Sequence, residues 1–195
     1  MNKQRLEAFS DGVLAIIITI MILELKIPEG SSIKCLSPLL PAFISYILSF
    51  VFIGIYWVNH HHLLHTVKKI NSGILWANLH LLFWLSIIPF ATGWMGANKF
   101  DRVSVAIYGA LLWICGAAFS LLSTTIQKTY THETPVTKAL SKDKPKRIAS
   151  LICYTLSIPA ALYVSPILAA CLFASVSVMW MIPSRNIEKA LIEHE

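Results

Sequence analysis

The sequence predicts an all-α integral membrane protein with six transmembrane helices, arranged as a single domain over residues 1–195. Hydrophobic residues make up 56% of the chain and charged residues only 13%, about half the charged fraction of a soluble domain. The mean hydropathy is +0.66. Because roughly 20 apolar residues cross a bilayer as a helix, a chain of this length with short connections has room for about six such helices.

The predicted helices follow the apolar stretches of the chain, at residues 5–27, 37–66, 74–94, 102–127, 147–164 and 166–183. Pro28 closes the first stretch and Pro41 lies near the start of the second. Residues 128–146 form the longest polar connection, whereas little more than Ser165 and Pro166 separates the last two helices. Proline and glycine mark turns and helix ends, so the last two helices are predicted to form a tight hairpin.

Basic residues are unequally divided between the two predicted sides of the membrane. One side holds twelve of them: Lys3, Arg5, Lys68, Lys69, Lys128, Lys138, Lys142, Lys144, Lys146, Arg147, Arg185 and Lys189. The other side holds four: Lys26, Lys34, Lys99 and Arg102. Because cytoplasmic loops are enriched in Lys and Arg, both termini are predicted to be cytoplasmic. The net charge of +6 then fits anionic lipid on that side, and nothing in the sequence favours nucleic acid.

The sequence carries no enzyme signature. Its four cysteines are scattered without a C-x-x-C pair, which predicts small apolar side chains rather than a disulfide or zinc framework. It also lacks G-x-S-x-G, a phosphate-binding loop and H-E-x-x-H, the patterns of common hydrolases, nucleotide-binding enzymes and zinc proteases. We therefore expect no catalytic residue, no resident metal and no cofactor.

The first helix joins a polar opening to an apolar run of twelve residues, from Gly12 to Leu23. Because a span needs roughly 20 residues, Ser10 and Asp11 must lie within or at the edge of the membrane. A carboxylate at the bilayer centre costs roughly 2.5–3.5 kcal/mol, so it has to face protein or water. Asp11 is therefore predicted to find a partner on a neighbouring helix.

A continuous apolar stripe follows one face of this helix. At 100° per residue it comprises Phe9, Gly12, Ile16, Thr19, Ile20, Leu23 and Ile27. Asp11 projects about 140° away from Ile16 and leaves the stripe. One face of the helix is thus expected to meet copies of itself while the other packs within the subunit. Such a stripe is either ordinary packing core or a hydrophobic constriction, and the sequence leaves both open.

Polar residues of the second and third helices approach the same predicted cytoplasmic side as Asp11. Asn78 stands among apolar residues and needs a hydrogen-bond partner on another helix. Adjacent histidines on a helix point about 100° apart, so only one or two of His60, His61 and His62 are expected to bond within the membrane. The predicted polar network comprises Arg5, Phe9, Ser10, Asp11, Trp57, His60 or His61, and Asn78.

These residues resemble the motifs of a known family, the transmembrane-protein-175 potassium channels of endolysosomes and bacteria. The resemblance is most specific over the first 28 residues, in Arg5-x-x-x-Phe9-Ser10-Asp11-Gly-Val-Leu-Ala-Ile16-Ile-Ile-Thr19. Two further stretches resemble the family, Tyr56-Trp57-Val-Asn-His60-His61 and the segment from Asn78 to Pro89-Phe90. The six-helix plan extends the resemblance over most of the chain.

The resemblance implies a potassium-permeable cation channel that lacks a P-loop selectivity filter, and this chain has no T-V-G-Y-G segment. The first helix would line a central pore whose narrowest point is Ile16, followed outward by Ile20 and Leu23, with Thr19 contributing to selectivity. The polar network would lock this helix in place. A single six-helix repeat implies a homotetramer of the bacterial type, a multi-pass protein of the plasma (inner) membrane that passes K⁺ and other monovalent cations.

Three other functions stay open at this point. A proton- or ion-coupled transporter could use Asp11 with the His60–His65 cluster as a relay. A membrane enzyme or metal-binding protein could use His61 and His65, which are four residues apart on a helix. A structural subunit of a larger complex would show no ion flux by itself.

Overall fold

The computed structural model describes residues 2–181, which form α-helices and connections and contain no β-strand. A short 3₁₀ helix, Ile33–Leu39, precedes the second α-helix, and a π-helical turn, Ala160–Val164, continues the seventh. The α-helices are α1 (Lys3–Leu23), α2 (Leu40–His65), α3 (Ser72–Ser86), α4 (Ile88–Ala97), α5 (Arg102–Gln127), α6 (Pro135–Lys142), α7 (Lys144–Pro159) and α8 (Pro166–Met181). The all-α class predicted from the sequence is confirmed.

Five helical segments of the described chain are long and apolar enough to cross a membrane: Lys3–Leu23, Ile33–His65, Ser72–Ala97, Arg102–Gln127 and Pro135–Val164. The helix α8 is apolar and has 16 residues within the described range. The end of the sixth predicted segment, at residue 183, lies outside the described residues, as do Arg185 and Lys189. The count of six spanning helices and the single-domain division therefore stay predictions.

Helix α1 begins earlier and ends earlier than the sequence predicts. Its first turn is capped by Asn2, whose side-chain oxygen accepts a hydrogen bond from the Gln4 backbone nitrogen at 3.2 Å. It ends at Leu23 rather than at residue 27. Ile27 directly precedes Pro28, and the proline ring disfavours helical backbone at the residue before it. The placement of Ile27 on the helical stripe was therefore wrong.

The third predicted segment is not one helix but two. Helix α3 ends at Ser86, and α4 starts at Ile88 with Pro89 in its first turn. Proline has no N–H group and its ring clashes with the carbonyl four residues earlier, so an uninterrupted helix through Pro89 is unfavourable. The prediction of one continuous stretch over residues 74–94 was wrong at this point.

The connection predicted as polar loop contains helix α6. Thr134 and Thr137 form a reciprocal capping box at its start, which satisfies backbone N–H groups that the first helical turn leaves free. Val136, Ala139 and Leu140 are buried, and their spacing of three and four residues places them on one face. The helix has only eight residues, and it packs against α5 and α7.

Helix α5 lies at the centre of the subunit, in contact with α3, α4, α7 and α8. Its Tyr108 is fully buried, and the phenol shares a hydrogen bond of 2.8 Å with the Ser49 hydroxyl of α2. Thr92 of α4 donates to the same Ser49 oxygen at 2.6 Å. These three hydroxyl groups join α2, α4 and α5 in an apolar interior, where unpaired polar groups would be costly. Helix α1 packs against the outside of α2, α3 and α4.

Helices α2 and α4 cross in direct backbone contact at Gly96. A Cβ atom at this position would lie 2.5 Å from the Ser45 hydroxyl oxygen and 2.6 Å from the Ala42 Cα. The second neighbour is backbone and cannot move aside by a rotamer change. Only glycine therefore allows the two helices to approach this closely.

We predict that Gly96→Ala destabilises the protein by about 1–3 kcal/mol, the usual cost of inserting a methyl group into packed structure. Gly54→Ala is the matched control, because a Cβ there meets no atom within 4 Å and alanine stabilises a helix interior by up to about 1 kcal/mol over glycine. Thermal unfolding of both variants in detergent, followed by tryptophan fluorescence, checks this. Equal melting temperatures for the two variants would contradict the close contact.

Candidate functional site

Helix α1 has two sharply different faces. The face that packs within the subunit carries its buried residues: Leu6, Ser10, Leu14, Ile17 and Met21. The opposite face is uncovered and consists of Phe9, Gly12, Ile16, Thr19, Ile20 and Leu23. Ile16 is 57% exposed and Leu23 is 77% exposed. An apolar face of this kind has to be covered by lipid or by protein.

Thr19 places the one side-chain hydroxyl on this uncovered face. Its proton is engaged within the helix, because Oγ1 lies 3.0 Å from the carbonyl oxygens of both Ala15 and Ile16. The oxygen keeps its lone pairs free on the uncovered side, since a hydroxyl can donate one bond and still accept two. Thr19 can therefore offer an oxygen ligand to a cation.

The uncovered surface of α1 continues onto α4. Ile16 and Ile20 line a groove whose other wall is formed by Pro89 and Phe90, and Phe90 is largely exposed. At the end of the groove the Glu24 carboxylate folds over Gly93, where any Cβ atom would come within 2.6 Å of its oxygen. The break between α3 and α4 thus creates the second wall of this apolar groove.

A chain of hydrogen bonds fixes the buried face of α1. The Ser10 hydroxyl donates to the Leu6 carbonyl at 2.8 Å and accepts from the Asn78 amide nitrogen at 3.0 Å. His60 Nε2 lies 2.6 Å from the Asn78 amide oxygen. Because that oxygen can only accept, Nε2 of His60 carries the proton and donates it. The chain runs from α2 through α3 to α1, and all three side chains are buried.

Asp11 makes a separate contact beside this chain. Its Oδ1 atom accepts a hydrogen bond of 3.0 Å from the indole nitrogen of Trp57. The carboxylate is half-buried and the indole is exposed on one side. The ring of His61 lies 6.3 Å from the Trp57 ring, centroid to centroid. An ionised acceptor strengthens a hydrogen bond, so this contact ties the N-terminal half of α1 to α2.

The structure does not bring every predicted residue into the network. Arg5 and Phe9 are exposed, and among the described residues the Arg5 side chain has no hydrogen bond or ion pair. His61 is exposed, so His60 is the histidine that lies behind α1. Within residues 2–181, no group of three or more His, Cys, Asp or Glu side chains could hold a metal ion.

Two contacts of Lys3 were not predicted from the sequence. Its ammonium donates to the His65 carbonyl at 2.8 Å and lies 3.8 Å from the Glu7 carboxylate. The four-residue spacing of Lys3 and Glu7 is a recognisable helical ion-pair pattern. The link to His65 is not, because it depends on how α1 and α2 pack.

Comparison with known proteins places these features in a family. The profile described as "Endosomal/lysosomal potassium channel TMEM175" matches residues 5–89, which include both polar contacts and α1 from Arg5 onward. A protein of Chryseobacterium sp. (strain P1-3), named a potassium channel, is 50% identical over 194 residues and is matched over its full length and that of this chain. The chain belongs to the TMEM175 family. It is therefore a membrane protein, and the family is named for a channel rather than for an enzyme.

The TMEM175 fold is also found in a solved structure. The crystal structure of a lysosomal potassium-selective channel TMEM175 homolog from Chamaesiphon minutus superimposes with a TM-score of 0.82 at 22% identity, over 93% of this chain and 97% of that one. This likeness shows a shared fold. The human endosomal/lysosomal proton channel TMEM175 is 34% identical over 103 residues, which are 47% of this chain and 20% of the human protein.

We predict that Asn78→Leu destabilises the protein by several kcal/mol. The substitution keeps the side-chain shape but leaves the buried His60 Nε2 without an acceptor and the Ser10 oxygen without a donor, at about 1–3 kcal/mol for each stranded group. Asn98→Leu is the control, since that exposed amide donates only to a carbonyl of its own helix. Thermal unfolding in detergent should show a large loss for the first variant and little for the second. Similar melting curves would contradict the bridging role of Asn78.

Proposed function

We propose that this protein is a potassium-permeable cation channel, formed by four copies of the chain around a central pore lined by α1. The uncovered apolar face of α1 is the observation that carries the proposal. In a lone subunit this face would contact only lipid, whereas a fourfold axis would bring four such faces together around a path across the membrane. The names of the full-length relative and of the matching family profile support the same function.

In this channel the Ile16 side chains form the narrowest point. Four isoleucines around an axis make a constriction that cannot hydrate an ion, and such constrictions gate by losing water. Ile20 and Leu23 continue the apolar path outward, and the free lone pairs of Thr19 offer a partly dehydrated cation an oxygen ligand. The channel uses no P-loop filter and no cofactor beyond the permeant K⁺ ions.

The polar contacts behind α1 set the position of the constriction. The hydrogen-bond chain through Asn78 fixes the buried face of α1, and the bond between Asp11 and Trp57 fixes its rotation. A helix held on one side presents the same residues to the axis in every subunit. Both termini lie in the cytoplasm, by the division of Lys and Arg, and the membrane is the inner membrane if the source is bacterial.

A transporter that uses Asp11 and the His60–His65 cluster as a proton relay is not favoured. His60 is already bonded to an amide oxygen, and an amide cannot pass a proton onward as a carboxylate does. The human relative is named a proton channel, so conduction of protons has to be measured beside that of potassium.

Ile16→Asn should raise potassium flux. Four asparagine side chains around the pore axis offer an ion polar oxygen ligands, whereas four isoleucine side chains offer none. Potassium flux is measured on protein reconstituted in liposomes under a potassium gradient, with a fluorescent dye that reports the membrane potential. We expect an increase of about tenfold or more, the effect of removing a barrier of roughly 1.4 kcal/mol. The same liposome assay under a pH gradient measures proton flux.

Ile107→Asn is the matched control, since Ile107 is similarly exposed but lies on α5. Its flux should equal that of the wild type. Unchanged flux in Ile16→Asn would exclude Ile16 as the constriction, and absence of flux in all three proteins would favour the transporter or structural subunit.

Native mass spectrometry should find four chains in the wild-type particle. Asp11→Ala and Trp57→Phe each remove one partner of a charge-assisted bond worth roughly 1.5–3 kcal/mol, so each should lower the tetramer fraction. Glu133→Ala is the control, because the ion pair of Glu133 with Lys138 is exposed and contributes little. A wild-type monomer in lipid would contradict the pore, and intact, conducting Asp11→Ala tetramers would exclude the anchoring role of Asp11.

A further inference from the structure

The uncovered surface of the subunit does not end at α1 but continues along α3. Exposed residues recur at intervals of three and four along α3 and past the break into α4, which is the spacing of one helical face. The α3 stripe, as we call its part on α3, comprises Trp76, Leu79, His80 and Phe83. Beyond it, Ser86 and Phe90 line the groove that also contains Ile16 and Ile20 of α1. The uncovered faces of α1 and α3 therefore belong to one surface.

His80 brings an imidazole into the α3 stripe at membrane depth. It lies eight residues beyond Ser72, where the apolar segment Ser72–Ala97 begins, and this corresponds to about 12 Å of helical rise. The 26 residues of the segment rise about 39 Å, whereas the hydrocarbon core is about 30 Å thick, so His80 lies within the hydrocarbon. A polar side chain at that depth has to find a partner in protein or in water.

One ring nitrogen of His80 has a partner within the subunit and the other has none. The indole nitrogen of Trp84 lies 3.0 Å from Nε2 of His80. Because an indole can only donate, Nε2 accepts this bond and carries no proton, so the proton of the neutral imidazole is on Nδ1. Within residues 2–181, Nδ1 has no hydrogen-bond acceptor. His80 thus presents a free N–H group on the exposed face of α3.

Exposed hydroxyl groups elsewhere in the apolar helices satisfy their own donors. Each donates to a carbonyl oxygen of its own helix, at distances of 2.7–3.0 Å, in Thr19, Ser86, Thr124, Thr155 and Ser175. Such a residue can face lipid, because its proton is already bonded. The N–H group of His80 can be satisfied only by an acceptor that comes from outside the subunit.

The uncovered face of α1 lies between α2 on one side and α3 with α4 on the other. At 100° per residue, Asp11 projects about 140° to one side of Ile16, where it bonds Trp57 of α2. Ile20 projects about 40° to the other side, where it lines the groove with Phe90 of α4. Around an axis lined by α1, the flank of α3 and α4 in one copy therefore faces the α2 flank of the next. Head-to-tail contacts of this kind close into a ring.

We propose that the α3 stripe is the contact surface between neighbouring subunits, and that Nδ1 of His80 donates a hydrogen bond to an acceptor on α2 of the next copy. The assignment rests on the proposed tetramer and names its lateral interface. Lipid tails at this depth offer no acceptor. The neighbouring α2 brings backbone carbonyl groups and an exposed apolar face of its own, formed by Phe43, Ile47, Phe50 and Trp57. Close packing around an interhelical hydrogen bond is a usual way for membrane helices to associate.

Native mass spectrometry of the full chain in mild detergent tests the role of His80. His80→Leu keeps an apolar side chain in the stripe but removes the donor, and it should lower the ratio of tetramer to monomer by about threefold or more. His80→Asn keeps a side-chain N–H group and should restore part of this loss. Thr155→Leu is the control, because that exposed hydroxyl bonds only within its own helix, and it should match the wild type. Equal tetramer ratios for His80→Leu and the wild type would overturn the proposal.

A spin label at Leu79→Cys, with the native cysteines replaced by alanine, reports what covers the stripe in liposomes. The label should be shielded both from oxygen, which is concentrated in lipid, and from a water-soluble nickel chelate. Ile152→Cys is the control, because Ile152 is 54% exposed on α7 and its label should be accessible to oxygen.

The spin-label results separate the interface from the tetramer itself. In intact tetramers, high oxygen accessibility at residue 79 would assign the stripe to lipid, and high nickel accessibility would assign it to a water-filled space. Either result would overturn the proposed interface while leaving the channel in place. A monomeric wild type would instead contradict the tetramer, and with it the interface.

Discussion

The structure depends on one requirement, that a helix with a short apolar run must carry polar residues into the membrane without leaving them unpaired. Ser10 meets this requirement through a directional chain of hydrogen bonds, in which His60 donates to Asn78, Asn78 to Ser10 and Ser10 to its own helix. In an apolar medium each bond is strong because the alternative is an unsatisfied group. The chain therefore fixes α1 against α2 and α3 more specifically than apolar packing could.

Once one face of α1 is fixed in this way, the other face is determined. The residues left uncovered are apolar except for Thr19, so they cannot stay in contact with water and have to meet lipid or protein. Phe90 and Pro89 extend this surface onto α4, because the proline interrupts the helix and brings the next turn beside α1. The tetramer that we propose would cover this surface with further copies of α1.

Much of this arrangement could be predicted from the sequence, because α1 follows the helical period closely. A 100° step per residue separates Ile16 from Asp11 whatever the neighbours are. The choice of His60 over His61 could not be predicted, since it depends on the rotation of α2 against α3. Helix α6 was missed because its signals, a threonine capping box and three buried apolar residues, are weak beside five nearby lysines. Pro89 indicates the break between α3 and α4, but the apolar stretch around it favoured the prediction of one continuous helix.

A second buried polar cluster, away from α1, obeys the same rule. Arg147 of α7 is buried, and it donates to the Ser123 hydroxyl of α5 at 2.8 Å and to the Leu140 carbonyl of α6 at 3.4 Å. A buried charge is costly unless other groups satisfy it. These bonds therefore fix α7 against α5 and α6, as the bonds of Asn78 fix α1 against α2 and α3. Both clusters are specific because a polar group in an apolar interior has few positions in which it is satisfied.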